Sequence, residues 1–196
     1  MKKSLIVTGI IVIVLSGCLL WVKNAYNSLV QGDENVKAAW SQVENVYQRR
    51  LDLIDNLVST VKGYAEHEKS TLEGVVEARS KATQITVDPT RLSQEEIARF
   101  QKIQGEFASA LGKLMMTFER YPDLKANQNF LELQAELAGT ENRIATERRK
   151  YNETAKQYNM AVRSFPKNII ASMFDFQTKG YFEADEQAKK APKVEF

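Results

Sequence analysis

The feature that most constrains this chain is an uncharged run of 18 residues, Leu5–Val22, twelve of which are Leu, Ile or Val. Two lysines precede the run, and Lys23 follows it. As a helix the run extends about 27 Å, close to the roughly 30 Å hydrocarbon core of a bilayer. Trp21 stands near its end, where an aromatic side chain favours the membrane interface. The run therefore predicts an N-terminal membrane anchor over residues 1–23.

A second anchoring signal lies inside the same run. Residues 15–18 read Leu-Ser-Gly-Cys, the form of a bacterial lipobox, in which Cys18 becomes the acylated first residue of a lipoprotein. Against this, four more apolar residues follow Cys18, where a lipoprotein usually continues into a polar tether. Two hypotheses stay open: a single-pass protein of the bacterial inner membrane and a membrane lipoprotein. Basic residues flank both sides of the run, so the positive-inside rule favours an external domain only slightly.

The composition of the remaining chain excludes several classes of function. Removing the three lysines of the first 23 residues from 27 basic side chains leaves 24 against 25 acidic ones. This balance gives no basic footprint for a phosphate backbone, so no nucleic-acid partner is expected. One cysteine and one histidine cannot build a zinc finger or a three-histidine site. A single globular domain without metal or cofactor is predicted.

Apolar residues after the anchor recur at helical spacing. A first long helix is predicted from Val36 to about Thr83, with Gly63 and Gly74 indicating a bend or a close helix approach. Its inward stripe is Val36, Trp40, Val43, Tyr47, Leu51, Ile54, Val58, Val61 and Ala65.

Two further helices follow. The motif Ser93-Gln-Glu-Glu96 predicts a capping box that begins the second helix, and Tyr121-Pro-Asp123 interrupts the pattern. The third helix is predicted to end at Pro166, and a short apolar element follows it. Its inward positions are Phe130, Leu133, Leu137, Ile144, Tyr151, Ala155, Tyr158, Val162 and Phe165.

The predicted fold is all-α. It is an elongated antiparallel bundle of three long helices plus a short fourth element, following an N-terminal transmembrane helix. The bundle is assigned to residues 24–179, and residues 180–196 to a C-terminal tail.

Charged side chains on the first and third helices offer one candidate for a site. Arg50 or Asn56 is predicted to meet Glu141 or Glu147 in a partly buried polar layer that determines helix register. The alternative is a solvated face whose charge pairs each contribute about 0.2 to 0.5 kcal/mol.

Catalytic signatures are missing from the sequence. His67 is followed by Thr71 where a zinc metalloprotease needs a second histidine, and Tyr64 stands where a di-iron bundle needs a glutamate. No Gly-Lys-Ser loop and no Gly-x-Ser-x-Gly occurs. We therefore predict no enzymatic activity, no small-molecule substrate and a surface or partner-contact role for His67. Aromatic residues crowd the last 32 positions, where they either fill the core or form a docking or lipid-facing patch.

Several stretches of the chain form recognisable motifs. They include Ala39-Trp-Ser-Gln-Val, Tyr47-Gln-Arg-Arg50, Asp52-Leu-Ile-Asp-Asn-Leu-Val58, Tyr121-Pro-Asp-Leu-Lys-Ala-Asn127, Gly139-Thr-Glu-Asn-Arg-Ile144 and Phe165-Pro-Lys-Asn-Ile-Ile-Ala171. Together these stretches resemble the LemA family of bacterial membrane-anchored proteins. Two positions depart from the family's usual Arg-Arg-Ala-Asp-Leu-Ile-Pro-Asn-Leu-Val, since Leu51 replaces its alanine and Asp55 its proline.

The resemblance implies an N-terminal transmembrane helix, a helical bundle and no established reaction. Family relatives associated with the magnetosome membrane favour an accessory or scaffolding role. We therefore expect a non-enzymatic module that presents its bundle to an unidentified envelope protein or to a second copy of itself. The alternative is a protein that remodels or contacts lipid through its aromatic C-terminal region.

Overall fold

The first helix runs without interruption from the predicted anchor into the bundle. The computed structural model describes residues 2–64 and 68–184, and α1 spans Lys2–Val61. Residues 5–21 are exposed throughout, and the turns that follow bury one face from Ala25 onward. Among the described helices, α1 has the one section long and apolar enough to cross a membrane. Because no loop separates the two sections, the anchor determines the direction of the bundle axis.

The prediction of one helix from Val36 to Thr83 is wrong. After α1 the chain forms a 3₁₀ turn at Lys62–Tyr64, and α2 begins at Lys69 and ends at Gln84. Leu72 and Val75 of α2 are buried against the same core as the last turns of α1. Both helices therefore keep an apolar stripe at similar spacing, and periodicity alone does not reveal the reversal between them.

The next boundaries follow local sequence signals. The predicted capping box at Ser93 and Glu96 is confirmed and starts α3, Gln94–Phe118. A single turn, α4, spans Pro122–Lys125, after which the Asn127 side chain accepts a hydrogen bond from the backbone N–H of Phe130. The long helix α5 is Gln128–Arg163 and the short helix α6 is Lys167–Met173.

The end of α5 corrects another expectation. The helix ends at Arg163 rather than running to Pro166, and Ser164 caps it through its backbone N–H to the carbonyl of Met160. Phe165 therefore leaves the helical stripe, and its side chain is 81% exposed instead of pointing inward.

The four main helices run up, down, up and down. The backbones of α1 and α5 approach closely along their length, as do those of α2 and α3, whereas α3 and α5 have little direct backbone contact. The all-helical bundle is thus confirmed, with one more main helix than predicted. α3 and α5 therefore face each other across a space that other parts of the chain line or fill.

The interior divides into two cores along the bundle axis. The proximal core lies near the anchor and contains Trp40, Tyr47, Phe100, Tyr151 and Phe182. The distal core takes in every buried side chain of α2. Its members are Leu51, Leu53, Ile54, Leu57, Val61, Leu72, Val75, Ala82, Phe107, Leu111, Leu114, Phe118, Leu124, Phe130 and Leu137.

Candidate functional site

A polar layer around Arg50 lies between the two cores. The Arg50 side chain is only 2% exposed. Its Nη1 donates to Glu141 Oε1 of α5 at 2.7 Å, and its Nη2 donates to Gln104 Oε1 of α3 at 2.8 Å and to the Gln104 carbonyl at 3.2 Å. One guanidinium therefore connects α1, α3 and α5, with the planar geometry that suits such forked contacts.

Aromatic rings complete the surroundings of Arg50. The guanidinium carbon lies 5.0 Å from the ring centroids of both Tyr47 and Phe107, within cation–π range. Glu141 is about half exposed, so water reaches one partner of the ion pair. A buried charge that keeps its partner and its hydrogen bonds is tolerated, whereas losing the partner is strongly destabilising.

The structure brings together two of the four residues predicted for this layer. Arg50 and Glu141 form the ion pair, but Asn56 is exposed and Glu147 instead bonds the Lys150 ammonium at 2.7 Å. Gln104 is the member that sequence reasoning missed. Its signal was a polar residue inside the apolar stripe of α3, and its burial shows that it faces the core. A role in determining helix register stays a prediction.

An open groove of about 600 Å³ lies between α3 and α5, next to this polar layer. Its floor includes Arg50 and Gln104, while small residues form the α3 wall. These small residues are Gly105, Ala108, Ser109 and Gly112. A volume of this size falls within the range of binding pockets. The groove exists because α3 and α5 are separated in the middle of the bundle.

Nearer the anchor, residues 177–184 fill the space between α3 and α5. We call this segment the strap. Two asparagines of α5 each bond both the N–H and the C=O of one strap residue: Asn159 pairs with Lys179, and Asn152 pairs with Phe182. The four donor–acceptor distances are 2.8, 2.8, 2.8 and 2.9 Å.

Glutamines of α3 do the same from the other side. Gln94 pairs with the backbone of Tyr181, and Gln101 pairs with the backbone of Glu183. The strap thus obtains from side-chain amides the backbone hydrogen bonds that a sheet would otherwise supply. On the strap, these bonds involve backbone atoms only. They therefore determine the path of the strap and not the positions of its side chains.

Two strap side chains attach the segment further. Phe182 is buried, stacks on Trp40 with ring centroids 6.0 Å apart, and meets Tyr151 edge to face at 5.4 Å. The Lys179 ammonium is almost fully buried and lies 2.8 Å from Asp33 Oδ1 of α1. The described part of the predicted tail, residues 180–184, therefore packs on the bundle, although the domain boundary itself stays a prediction.

Asp33 is the charged partner that anchors the strap to α1. Partial burial raises its pKa, but hydrogen bonds from Lys179 and Lys37 outweigh this effect and hold the pKa below its usual value. Burial also raises the pKa of the neighbouring Tyr158 phenol well above the ordinary range, so this ring stays neutral. The carboxylate is thus ionised at every physiological pH.

The remaining predictions concern Cys18, His67 and metal binding. Cys18 is exposed on the apolar section of α1, and its acylation stays a prediction. His67 lies outside the described residues. Within residues 2–64 and 68–184, no three His, Cys, Asp or Glu side chains stand close enough together to hold a metal ion.

Comparison with known proteins decides the family. The LemA family model matches residues 39–196. The chain belongs to the LemA family. It is 28% identical over 160 residues to Protein LemA of Metamycoplasma hominis, an alignment that covers 82% of this chain and 69% of that protein.

Two magnetosome proteins are comparably similar to this chain. The chain is 28% identical to Magnetosome protein MamQ 2 of Paramagnetospirillum magneticum and 27% identical to Magnetosome protein MamQ of Magnetospirillum gryphiswaldense. The alignments cover 81% and 80% of this chain but 64% of each relative. The chain thus spans just under two thirds of the magnetosome proteins it matches.

Proposed function

We propose that this LemA-family protein is a non-enzymatic accessory or scaffold protein that presents its bundle to an envelope protein partner. The observation that carries the proposal is the continuity of α1, which is exposed and apolar over residues 5–21 and forms the bundle core from Ala25 onward. A rigid connection of this kind holds a binding surface at a constant height and direction relative to the membrane. A flexible tether would allow the domain to reorient.

The groove between α3 and α5 is the surface we assign to the partner. Small side chains on α3 let another backbone approach closely, and the exposed Glu141 and the neighbouring Arg148 line the opposite side. The polar layer keeps the two walls apart and in register, which preserves the groove when it is empty. The partner is a protein of the envelope or a second copy of this chain.

Site-specific photo-crosslinking in native membranes tests this assignment. A photoreactive phenylalanine analogue replaces Ser109 in the groove, and the matched control replaces Arg143, which is exposed on a different face of α5. We expect one reproducible adduct from position 109 and none from position 143. Equal adduct patterns from both positions, or no adduct with any protein including a second copy, would contradict the assignment.

The nature of the anchor needs a separate experiment. We propose a retained single span in the inner membrane, with the lipoprotein as the competing hypothesis. Carbonate extraction combined with radiolabelled palmitate, applied to the parent chain and to Cys18→Ser, separates the two. A single span predicts a membrane pellet without label in both chains. Label on the parent chain that is absent from Cys18→Ser would establish the lipoprotein instead.

A further inference from the structure

We infer that the exposed face of α6 rests in the membrane interface, so that the bundle contacts lipid at a second point besides its anchor. The α6 face consists of Phe165, just before the helix, and Ile169, Met173 and Phe174. All four side chains are at least half exposed. Together they form a contiguous apolar surface, which soluble domains seldom expose without a partner.

The position of α6 along α1 identifies that partner as a lipid surface. Tyr26, one helical turn beyond the end of the apolar run at Val22, meets the Phe174 ring edge to face with centroids 4.8 Å apart. One half-turn further, the Lys167 ammonium lies 3.0 Å from Ser28 Oγ. At about 1.5 Å of rise per residue, these two contacts hold α6 roughly 6 to 9 Å beyond the level at which α1 leaves the apolar run, the depth of the headgroup region.

Packing on the opposite side of α6 shows why this face is left uncovered. Ile170 and Ala171 are buried in the proximal core, and Val22 packs against the same core. The apolar residues of α6 therefore divide between an inner face that packs on α1 and an outer face that stays at least half exposed, with Phe174 meeting Tyr26 at its edge. A short helix that is apolar on both sides suits a boundary between protein and lipid.

The charges around the α6 face favour an anionic bilayer. Lys23 directly follows the apolar run and Arg163 precedes Phe165 by two residues; both side chains are exposed, and Lys167 stands at the start of α6. Asp175, also exposed, is the acidic residue next to Phe174. Basic side chains next to apolar and aromatic ones are the combination that binds the interface of an anionic membrane. The inference extends beyond the proposed function, because a scaffold needs only one anchor and α6 supplies another contact.

Lipid-quenching of tryptophan fluorescence tests the contact in the full chain. The background variant is Trp21→Phe, which removes the anchor's indole while Trp40 remains fully buried in the proximal core. Phe165→Trp places a probe on the α6 face. Met116→Trp is the matched control, because Met116 is 63% exposed near the distal end of α3. Cys18 is kept, so the natural anchor of either kind stays in place.

Each variant is measured in nanodiscs of phosphatidylcholine and phosphatidylglycerol, with and without bromine on the acyl chains, and with iodide in the buffer. We expect brominated lipid to quench the indole at position 165 several-fold more than the one at position 116, and iodide to do the reverse. Iodide quenching at position 165 equal to that at position 116 would overturn the inference. An indole at 165 shielded from both quenchers would also overturn it, since that result means contact with protein.

The same experiment separates this inference from the proposed function. A water-exposed α6 face leaves the groove and its partner intact, whereas missing adducts at position 109 leave the lipid contact intact. Each hypothesis therefore fails on its own measurement.

Discussion

The proximal and distal cores of this protein are built from the same bundle but by different means. In the distal core four helices surround mainly aliphatic side chains, and α2 supplies Leu72, Val75 and Ala82. In the proximal core α2 has ended, and aromatic rings together with the strap occupy the space that a helix fills at the other end. The proximal core therefore depends on contacts that are distant in sequence, while the distal core depends on helix packing.

This difference separates two tasks. The distal core makes a conventional bundle, whereas the proximal core joins that bundle to α6 and to the anchor through the strap. Changes that detach the strap are expected to loosen the membrane end first and leave the distal helices paired. The following predictions test this division, from the largest expected effect to the smallest.

Removing the aromatic anchor of the strap should have the largest effect. Phe182→Ala leaves a cavity between Trp40 and Tyr151, and we expect a loss of about 3 to 5 kcal/mol in the free energy of unfolding. Phe174→Ala is the control, because that ring is 51% exposed and its loss should cost under about 1 kcal/mol in a detergent-solubilised chain. Denaturant unfolding of the full chain, followed by near-ultraviolet circular dichroism, measures both. Equal losses would show that the strap contributes nothing specific.

The polar layer between the cores should come next. Arg50→Ala leaves the buried Gln104 Oε1 without a donor, and we expect a loss of about 3 kcal/mol in the free energy of unfolding. A double-mutant cycle with Glu141→Ala should give a coupling energy of roughly 0.5 to 1 kcal/mol. This coupling is small for an ion pair with a buried arginine because Glu141 is half exposed. The parallel cycle with Glu147→Ala should show no coupling, since Glu147 pairs with Lys150. Coupling of equal size in both cycles would contradict the observed geometry.

The ion pair between the strap and α1 should have a smaller, pH-dependent effect. Asp33→Asn removes the negative charge opposite the buried Lys179 ammonium and leaves it with neutral acceptors such as the Thr90 carbonyl, so we expect a loss of about 2 to 3 kcal/mol in the free energy of unfolding at neutral pH. Because the pKa of Asp33 is lowered in the folded protein, its contribution is complete above about pH 4 and disappears as pH falls through the folded pKa. Denaturant unfolding of the parent chain and of Asp33→Asn, from neutral pH to below the folded pKa, measures this contribution. A difference in unfolding free energy between the two chains that persisted unchanged at low pH would refute the role of the carboxylate.

Two glycine substitutions should have the smallest effects on the free energy of unfolding, and these effects should have opposite signs. A Cβ at Gly180 would lie 2.6 Å from the Cα of Gln94, so Gly180→Ala must displace the strap, and we expect a loss of about 1 to 3 kcal/mol. A Cβ at Gly112 on α3 meets nothing within 4 Å, so Gly112→Ala should stabilise the helix by about 0.5 to 1 kcal/mol. Amide hydrogen exchange should show faster exchange near the strap in the first variant alone. Stabilisation by both substitutions would mean that the strap does not occupy this path.

The parts of the fold that could be predicted are those with a local cause. The apolar run before Lys23 becomes the exposed section of α1, and Ser93 with Glu96 starts α3 through bonds that span only three residues. Helix type and approximate position follow from the same short-range periodicity. Among the four residues of the predicted polar layer, Arg50 and Glu141 were brought together because each borders the apolar stripe of its helix.

The rest was decided by tertiary structure. The helical stripe does not distinguish the reversal after Val61, because α1 and α2 carry similar stripes on the two sides of it. Gly63, which indicated a bend or a close helix approach, lies in the 3₁₀ turn there, but it did not separate these alternatives. Gln104 and Phe182 acquire their roles from partners dozens of residues away, such as Arg50 for the amide and Trp40 for the ring. Side chains so distant in the chain meet only after the helices have packed, and their meeting depends on the topology and on the gap between α3 and α5. The sequence pattern thus encodes which segments are helical and which end is apolar enough to cross a membrane, while the closure of that gap by the strap exists only in the assembled bundle.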